Sequence, residues 1–242
     1  MRMSTLTKIQ NELKLLADPK QAQNLQRFFK TGKGEYAEGD IFYGIKVPVT
    51  RGIAKKFGRE VTLKEAEELL HSKIHEERLC ALLILIQKFE SKEITPEEQK
   101  EIFDFYLANT KYINNWDLVD LSSHEIAGAY LFSHPKERKL LKKLATSELL
   151  WDKRIAMVSC YHFIYRKEFS EPLMVAELLQ KDGHDLMHKA VGWMLREIGK
   201  RDLGVLEDFL KKHYKQMPRT MLRYAIEKFP EAKRKKYLKG LV

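Results

Sequence analysis

Apolar residues return at every third or fourth position along almost the whole chain, a spacing that suits helices and excludes most other folds. Leu6, Ile9, Leu13 and Leu16 step in this way, as do Leu79, Leu82, Leu83, Ile86 and Phe89, and later Ile102, Phe105, Tyr106 and Asn109. That is the repeat of one helix face, whereas a half-buried strand alternates every second residue, and no sustained alternation occurs. The 12 glycines and 7 prolines fall mostly between the periodic segments, where they punctuate helices without interrupting them. The fold class is all-α.

The boundaries are readable. Asp18-Pro19 starts a short helix with Pro in its first turn. Thr31 to Val47 is Gly-rich and aperiodic, and is read as one long loop. Thr62 with Glu65, and Thr95 with Glu98, have the spacing of capping boxes. Ser133-His134-Pro135, Pro172, Asp182-Gly183, Pro218 and Pro230 mark later breaks. The expectation is about a dozen helices of roughly 10–17 residues joined by short turns.

The 242 residues suffice for one domain, possible as two by length alone, with a substantial core. The tryptophans Trp116, Trp151 and Trp193 lie 35 and 42 residues apart, close to the period of paired-helix repeats. The reading is one domain over 1–242, with N-terminal helices over 1–31, the loop over 31–47 and repeats from there to 242. Antiparallel helix pairs would then stack into a curved α-solenoid, and matching places in successive units would face one concave surface.

Composition narrows the partner. There are 44 Lys and Arg against 34 Asp and Glu, a net charge of +10, which favours a polyanion such as nucleic acid. No apolar run approaches the roughly 18–20 residues of a membrane span. The opening MRMSTLTKIQNELKLL lacks the continuous apolar stretch of a secretory signal. Cys80 and Cys160 stand alone in helical segments, which fits a reducing, cytoplasmic setting.

Three stretches carry chemistry. In Asn114-Asn115-Trp116-Asp117-Leu118-Val119-Asp120, Trp116 and Asp120 are four apart and share a helix face, with Val119, Ile126 and Tyr130 toward the core. Taken alone, Asp117 reads as a helix-start carboxylate, Asp120 as a surface charge and Trp116 as core. In Trp151-Asp152-Lys153-Arg154, Arg154 falls 34 residues after Asp120, and its ordinary reading is a partner for Glu148 or Asp152. In Lys189 to Glu197, Trp193 falls 39 residues beyond Arg154 and follows Gly192. A glycine inside a helix costs about 1 kcal/mol against Ala, so Gly192 signals close packing or close approach by another body. An Asp, an Arg and two Trp at unit-like offsets on one prospective face are harder to set aside together than singly.

Other patterns fail. His184 and His188 lack the Glu and third ligand of a zinc helix, and His124-Glu125 meets Gly128 where a second His would stand. Gly32-Lys33-Gly34 has no third glycine or preceding strand, and no Walker-type loop occurs, so neither metal nor cofactor is expected. The run Lys233 to Lys236 reads as a solvated helix end.

At these residues the chain resembles the AlkD-like family of bacterial DNA alkylation-repair glycosylases, built from HEAT-like repeats. The matching stretches are Tyr43-Gly44-Ile45-Lys46-Val47-Pro48, Trp116-Asp117-Leu118-Val119-Asp120, Arg154-Ile155-Ala156 and Gly192-Trp193-Met194-Leu195-Arg196-Glu197. The resemblance implies a glycosylase acting on N3- or N7-alkylated purines in duplex DNA. It makes Asp120 the catalytic carboxylate, Arg154 a support for the backbone near the lesion, and Trp116 and Trp193 the aromatic lining. Lys46, Arg51, Lys189 and Arg196 are candidates for phosphate contacts, against a reading as solvated charges. Asn115 stands where the family commonly shows a second Trp, a departure that bears on lesion preference. The loop before Gly44 is longer than the family's, which touches N-terminal contacts such as Phe28. A monomer in the bacterial cytoplasm, associated with the nucleoid, is expected. Two other readings stay open: a non-catalytic DNA-structure binder of the same family, and a HEAT-like scaffold for a protein partner.

Overall fold

The computed structural model describes residues 3–242 and is helical nearly throughout, joined by turns and the one long loop. The first helices are α1 (Thr5–Leu15), α2 (Pro19–Phe28), α3 (Val47–Phe57), α4 (Leu63–Leu70), α5 (His75–Phe89), α6 (Pro96–Ala108) and α7 (Trp116–Ser122). A π-type turn at His124–Gly128 leads into α8 (Ala129–Ser133), α9 (Lys139–Ala145), α10 (Leu150–Tyr165), α11 (Ser170–Leu179), α12 (Asp185–Arg201), α13 (Leu203–His213), α14 (Arg219–Ala225) and α15 (Glu231–Lys239). The all-α expectation holds. Several helices are shorter than the 10–17 residues expected, including α7, α8, α9 and α14, because apolar periodicity runs on through tight turns that end the backbone ladder.

The sequence punctuation works as read. Both capping boxes form: Thr62 accepts from the Glu65 N–H and Thr95 from the Glu98 N–H, while each Glu reaches back to the Thr N–H. Pro19, Pro48 and Pro96 occupy first turns, where a missing N–H goes unmissed. The long loop ends at Lys46, one residue earlier than expected, and touches the helical body through an isolated bridge between Ile41 and Ile74.

The chain divides into two compact units, one ending at Ser122 and the other beginning at Ser123. In the first, α5 is the central helix, packed against α3, α4, α6 and α7. It is buried from His75 through Ile86, so its apolar residues meet neighbours on every side. In the second, α10 holds the same place among α9, α11, α12 and the π-type turn, with Ile155, Met157, Val158, Phe163 and Ile164 fully buried. Against α12 lies α14, and Gly192 permits it: a Cβ there would stand 2.5 Å from the Met221 carbonyl oxygen. Close helix packing therefore accounts for Gly192. Cys80 and Cys160 are unpaired and fully buried in the two central helices.

Candidate functional site

In the first unit the site begins at the N-terminus of α5, where His75, Glu76, Glu77 and Arg78 are all buried. Buried charges persist only with partners, and each of these has one. The Glu76 carboxylate accepts three successive backbone N–H groups, from Tyr43 (2.9 Å), Gly44 (2.8 Å) and Ile45 (3.0 Å). Gly44 makes this possible, since its φ is +88° and a Cβ would lie 2.2 Å from the Asp18 carbonyl oxygen. The Tyr43-to-Pro48 motif is thus a clamp that fastens the long loop onto α5. Glu77 receives the Tyr43 hydroxyl at 3.0 Å, and burial with that neighbouring carboxylate pushes the phenol up to about 12.

His75 and Arg78 meet Asp40, contributed by the loop. Arg78 Nη2 donates to Asp40 Oδ1 at 2.7 Å, and His75 Nδ1 lies 3.3 Å from Asp40 Oδ2. On its other side His75 Nε2 is 2.8 Å from Asp117 Oδ2. Burial alone would drive His75 toward the neutral form, but Asp117 and Asp40 outweigh it and raise the imidazole to about 9. At neutral pH the ring is a cation donating from both nitrogens. Burial opposes the charge on Asp40 as well, yet the bond to His75 and the field of Arg78 hold its carboxyl below the usual range.

This network sets α7. Asn115 Nδ2 donates to Asp40 Oδ2 at 3.3 Å, while its Oδ1 accepts the Trp116 N–H at 2.8 Å. Asp117 Oδ1 accepts the Leu118 N–H at 2.9 Å, so it serves the helix start, as expected, and also holds His75. Asn115 is 0% exposed, which makes it a positioning residue for α7. A change at Asn115 would therefore act on the framework beneath Trp116 and Asp120. At the other end of α7, the Tyr106 hydroxyl and Ser122 Oγ lie 2.9 Å apart, and Ser122 donates to the Leu118 carbonyl.

Trp116 and Asp120 share a face of the helix so fixed, and both are half-buried. The indole stacks on Phe29 with centroids 5.0 Å apart, meets Phe28 edge-on at 5.6 Å, and donates Nε1–H to the Tyr36 hydroxyl at 3.2 Å. Phe29 stacks in turn on Phe42, which stacks on the cationic His75 ring at 4.5 Å. Phe28 stands 62% exposed beside the indole. The Asp120 charge is near enough to add to the burial that raises the Tyr106 phenol. Lys46 and Arg51 are exposed, at the N-cap and on the body of α3.

In the second unit, Arg154 is only 5% exposed and Nη1 donates to the Leu186 carbonyl at 2.7 Å, which orders its guanidinium. Trp193 is half-buried on α12, its ring 6.3 Å from that of Tyr161. Two phosphate candidates are engaged within the protein: Arg196 pairs with Glu227, and Lys189 with Asp185 at 2.7 Å. Trp151 is buried core.

Sequence reading missed the buried ionic group of Asp40, His75, Glu76 and Arg78, and the aromatic shelf of Phe29 and Tyr36. A signal existed for the first: four ionisable residues in a row open a helix that is otherwise apolar. No such signal marks Phe29, at the end of α2, or Tyr36, which reaches Trp116 because the loop folds back. Among the described residues no group of three or more His, Cys, Asp or Glu is placed to hold a metal ion, and no helix is long and apolar enough to cross a membrane.

Comparison with known proteins gives the family and the fold. A family model described as DNA alkylation repair enzyme matches residues 9–229. A solved structure, a predicted DNA alkylation repair enzyme from Enterococcus faecalis, superposes with a TM-score of 0.69 at 17% identity, over 89% of this chain and 97% of that one. That likeness establishes the fold. No curated protein matches the sequence.

Proposed function

The chain belongs to the DNA alkylation repair enzyme family, and we propose that it is a DNA glycosylase releasing positively charged N3- or N7-alkylated purines from duplex DNA. The observation that carries the reading is the pairing of Asp120 with Trp116 on one face of α7, a helix seated on buried ion pairs and an aromatic stack. A group that must stabilise a transition state works best when its position is fixed before reaction.

An alkylated purine already carries a formal positive charge and leaves as a neutral base. No general acid is needed to protonate it, so one carboxylate serves where neutral glycosides require two. As the C1′–N bond lengthens, positive charge develops on the deoxyribose. The Asp120 carboxylate stabilises that charge and orients the water that adds to C1′, accepting its proton. The Trp116 face attracts a cationic base by about 0.5–2 kcal/mol, depending on desolvation. Phe28, exposed beside the indole, extends the same aromatic surface.

In the second unit, Arg154 is assigned to the DNA backbone and Trp193 to aromatic contact with the nucleic acid, each on the resemblance and on its ordered position. Lys46 and Arg51 are free to meet phosphates as exposed cations. Lys189 and Arg196 must exchange a carboxylate for a phosphate to do so.

Base release from duplex DNA containing 7-methylguanine tests the reading. Asp120→Asn is expected to keep the fold and DNA binding while slowing release by at least about 10²–10³-fold, the size of losing one preorganised electrostatic contact. Release by that variant at the wild-type rate refutes the assigned role, and wild-type protein that binds the duplex but frees no base is a binder instead.

A further inference from the structure

The positive charge of this chain is concentrated. Residues 211–242 contain 11 Lys and Arg against 2 Asp and Glu, a net +9, so the first 210 residues are close to neutral at +1. The acidic side chains within reach satisfy some of these cations: Lys233 pairs with Glu207, Lys228 with Glu227, and Arg234 with Glu231. Lys212, Lys215, Arg223, Lys236 and Lys239 are exposed and form no direct ion pair among the described residues.

Local structure orders this charge. On α15, Lys235, Lys236 and Lys239 share the helix face turned away from the buried Tyr237. On α14, Arg219 and Arg223 are four apart, opposite the buried Met221, Leu222 and Ala225. The pieces are tied together, since Arg219 donates to the Leu238 carbonyl, Lys233 reaches Glu207 on α13, and Tyr214 packs edge-on against Tyr237 at 5.3 Å. Like charges held at such density repel one another, and the arrangement is relieved by a dense polyanion.

We propose that residues 211–242 form the electrostatic grip of this protein on duplex DNA, contacting phosphates without regard to sequence or lesion. The assignment rests on the DNA reading above and moves most of the backbone contact away from Lys189 and Arg196, which are paired internally. Each neutralised phosphate contributes about 0.9 to the slope of log affinity against log salt for B-DNA.

The test is the salt dependence of binding to an undamaged duplex, measured by fluorescence anisotropy. A variant with Lys212, Lys215, Arg223, Lys236 and Lys239 changed to Gln should flatten the slope by about 4.5 and weaken binding at 150 mM salt by on the order of 10³-fold or more. The single changes Lys236→Gln and Lys239→Gln should each flatten it by about 0.9. A control that removes the exposed Lys64, Lys92, Lys136, Lys142 and Lys143 should leave the slope nearly unchanged. Equal effects of the two five-site variants overturn the proposal, as does an unaltered slope in the first, or a loss confined to duplex RNA of the same length. Because the duplex carries no lesion, failure of the glycosylase reading leaves this outcome readable on its own.

Discussion

Replacing Glu76 with Ala should unfasten the long loop from α5. Three N–H groups, the buried ones of Gly44 and Ile45 and the half-buried one of Tyr43, then lose their shared acceptor. A hydrogen bond to a charged acceptor is worth about 1.5–3 kcal/mol, and an orphaned buried donor keeps its desolvation penalty. Against this stands the relief of no longer burying a carboxylate, several kcal/mol. The net expectation is a loss of about 3–5 kcal/mol from the first unit's unfolding free energy. Urea unfolding followed by far-UV circular dichroism measures it. Glu76→Gln retains one oxygen for Gly44 and Ile45 and should lose about half as much. The exposed Glu148→Ala is the control and should stay within about 0.5 kcal/mol of wild type. Gly44→Ala attacks the same clamp from the other side, so combining it with Glu76→Ala should destabilise by less than the sum. A Glu76→Ala protein within about 1 kcal/mol of wild type would show that the three N–H groups do not depend on that carboxylate.

Three further outcomes follow from the same geometry. His75 has its ordinary value of 6.5 when unfolded and about 9 when folded, so its stabilisation is present below 6.5 and fades as pH rises through 9. The gap in melting temperature between wild type and His75→Gln should therefore narrow from pH 6.5 to pH 10, and a constant gap would contradict a cationic ring. Gly192→Ala places a methyl 2.5 Å from the Met221 oxygen and should destabilise by about 1–3 kcal/mol in denaturant, despite alanine's better helix propensity. Trp116→Ala should slow release of 7-methylguanine by about 2- to 30-fold beyond any change in undamaged-duplex binding, the equivalent of about 0.5–2 kcal/mol of cation attraction. Equal losses in both assays would make the indole a general DNA contact.

Much of the fold was legible because its signals are local. A 3.6-residue period, two Thr-x-x-Glu boxes and prolines in first turns act within a few residues, and each survives in the structure. Helix ends at α7 and α8 were less legible, since the apolar period continues through the π-type turn at His124–Gly128. The shared face of Trp116 and Asp120 followed from spacing alone. What surrounds them did not, because Tyr36 and Asp40 approach through a loop whose path no local rule specifies, and Phe29 caps the helix that leads into it. Asn115 shows the difference well: the resemblance marks it only as a departure that bears on lesion preference, whereas its side chain is spent on Asp40 and the Trp116 N–H.

The two thiols have a bearing on the setting in which such a protein works. Sulfur reacts with electrophiles as thiolate, and both Cys80 and Cys160 are sealed inside central helices where burial disfavours ionisation, Cys80 being pushed up to about 12. With both sulfurs fully buried, a solvent-borne methylating agent meets neither thiol at the protein surface. The chemicals that damage the genome thus find no reactive sulfhydryl on the protein assigned to its repair.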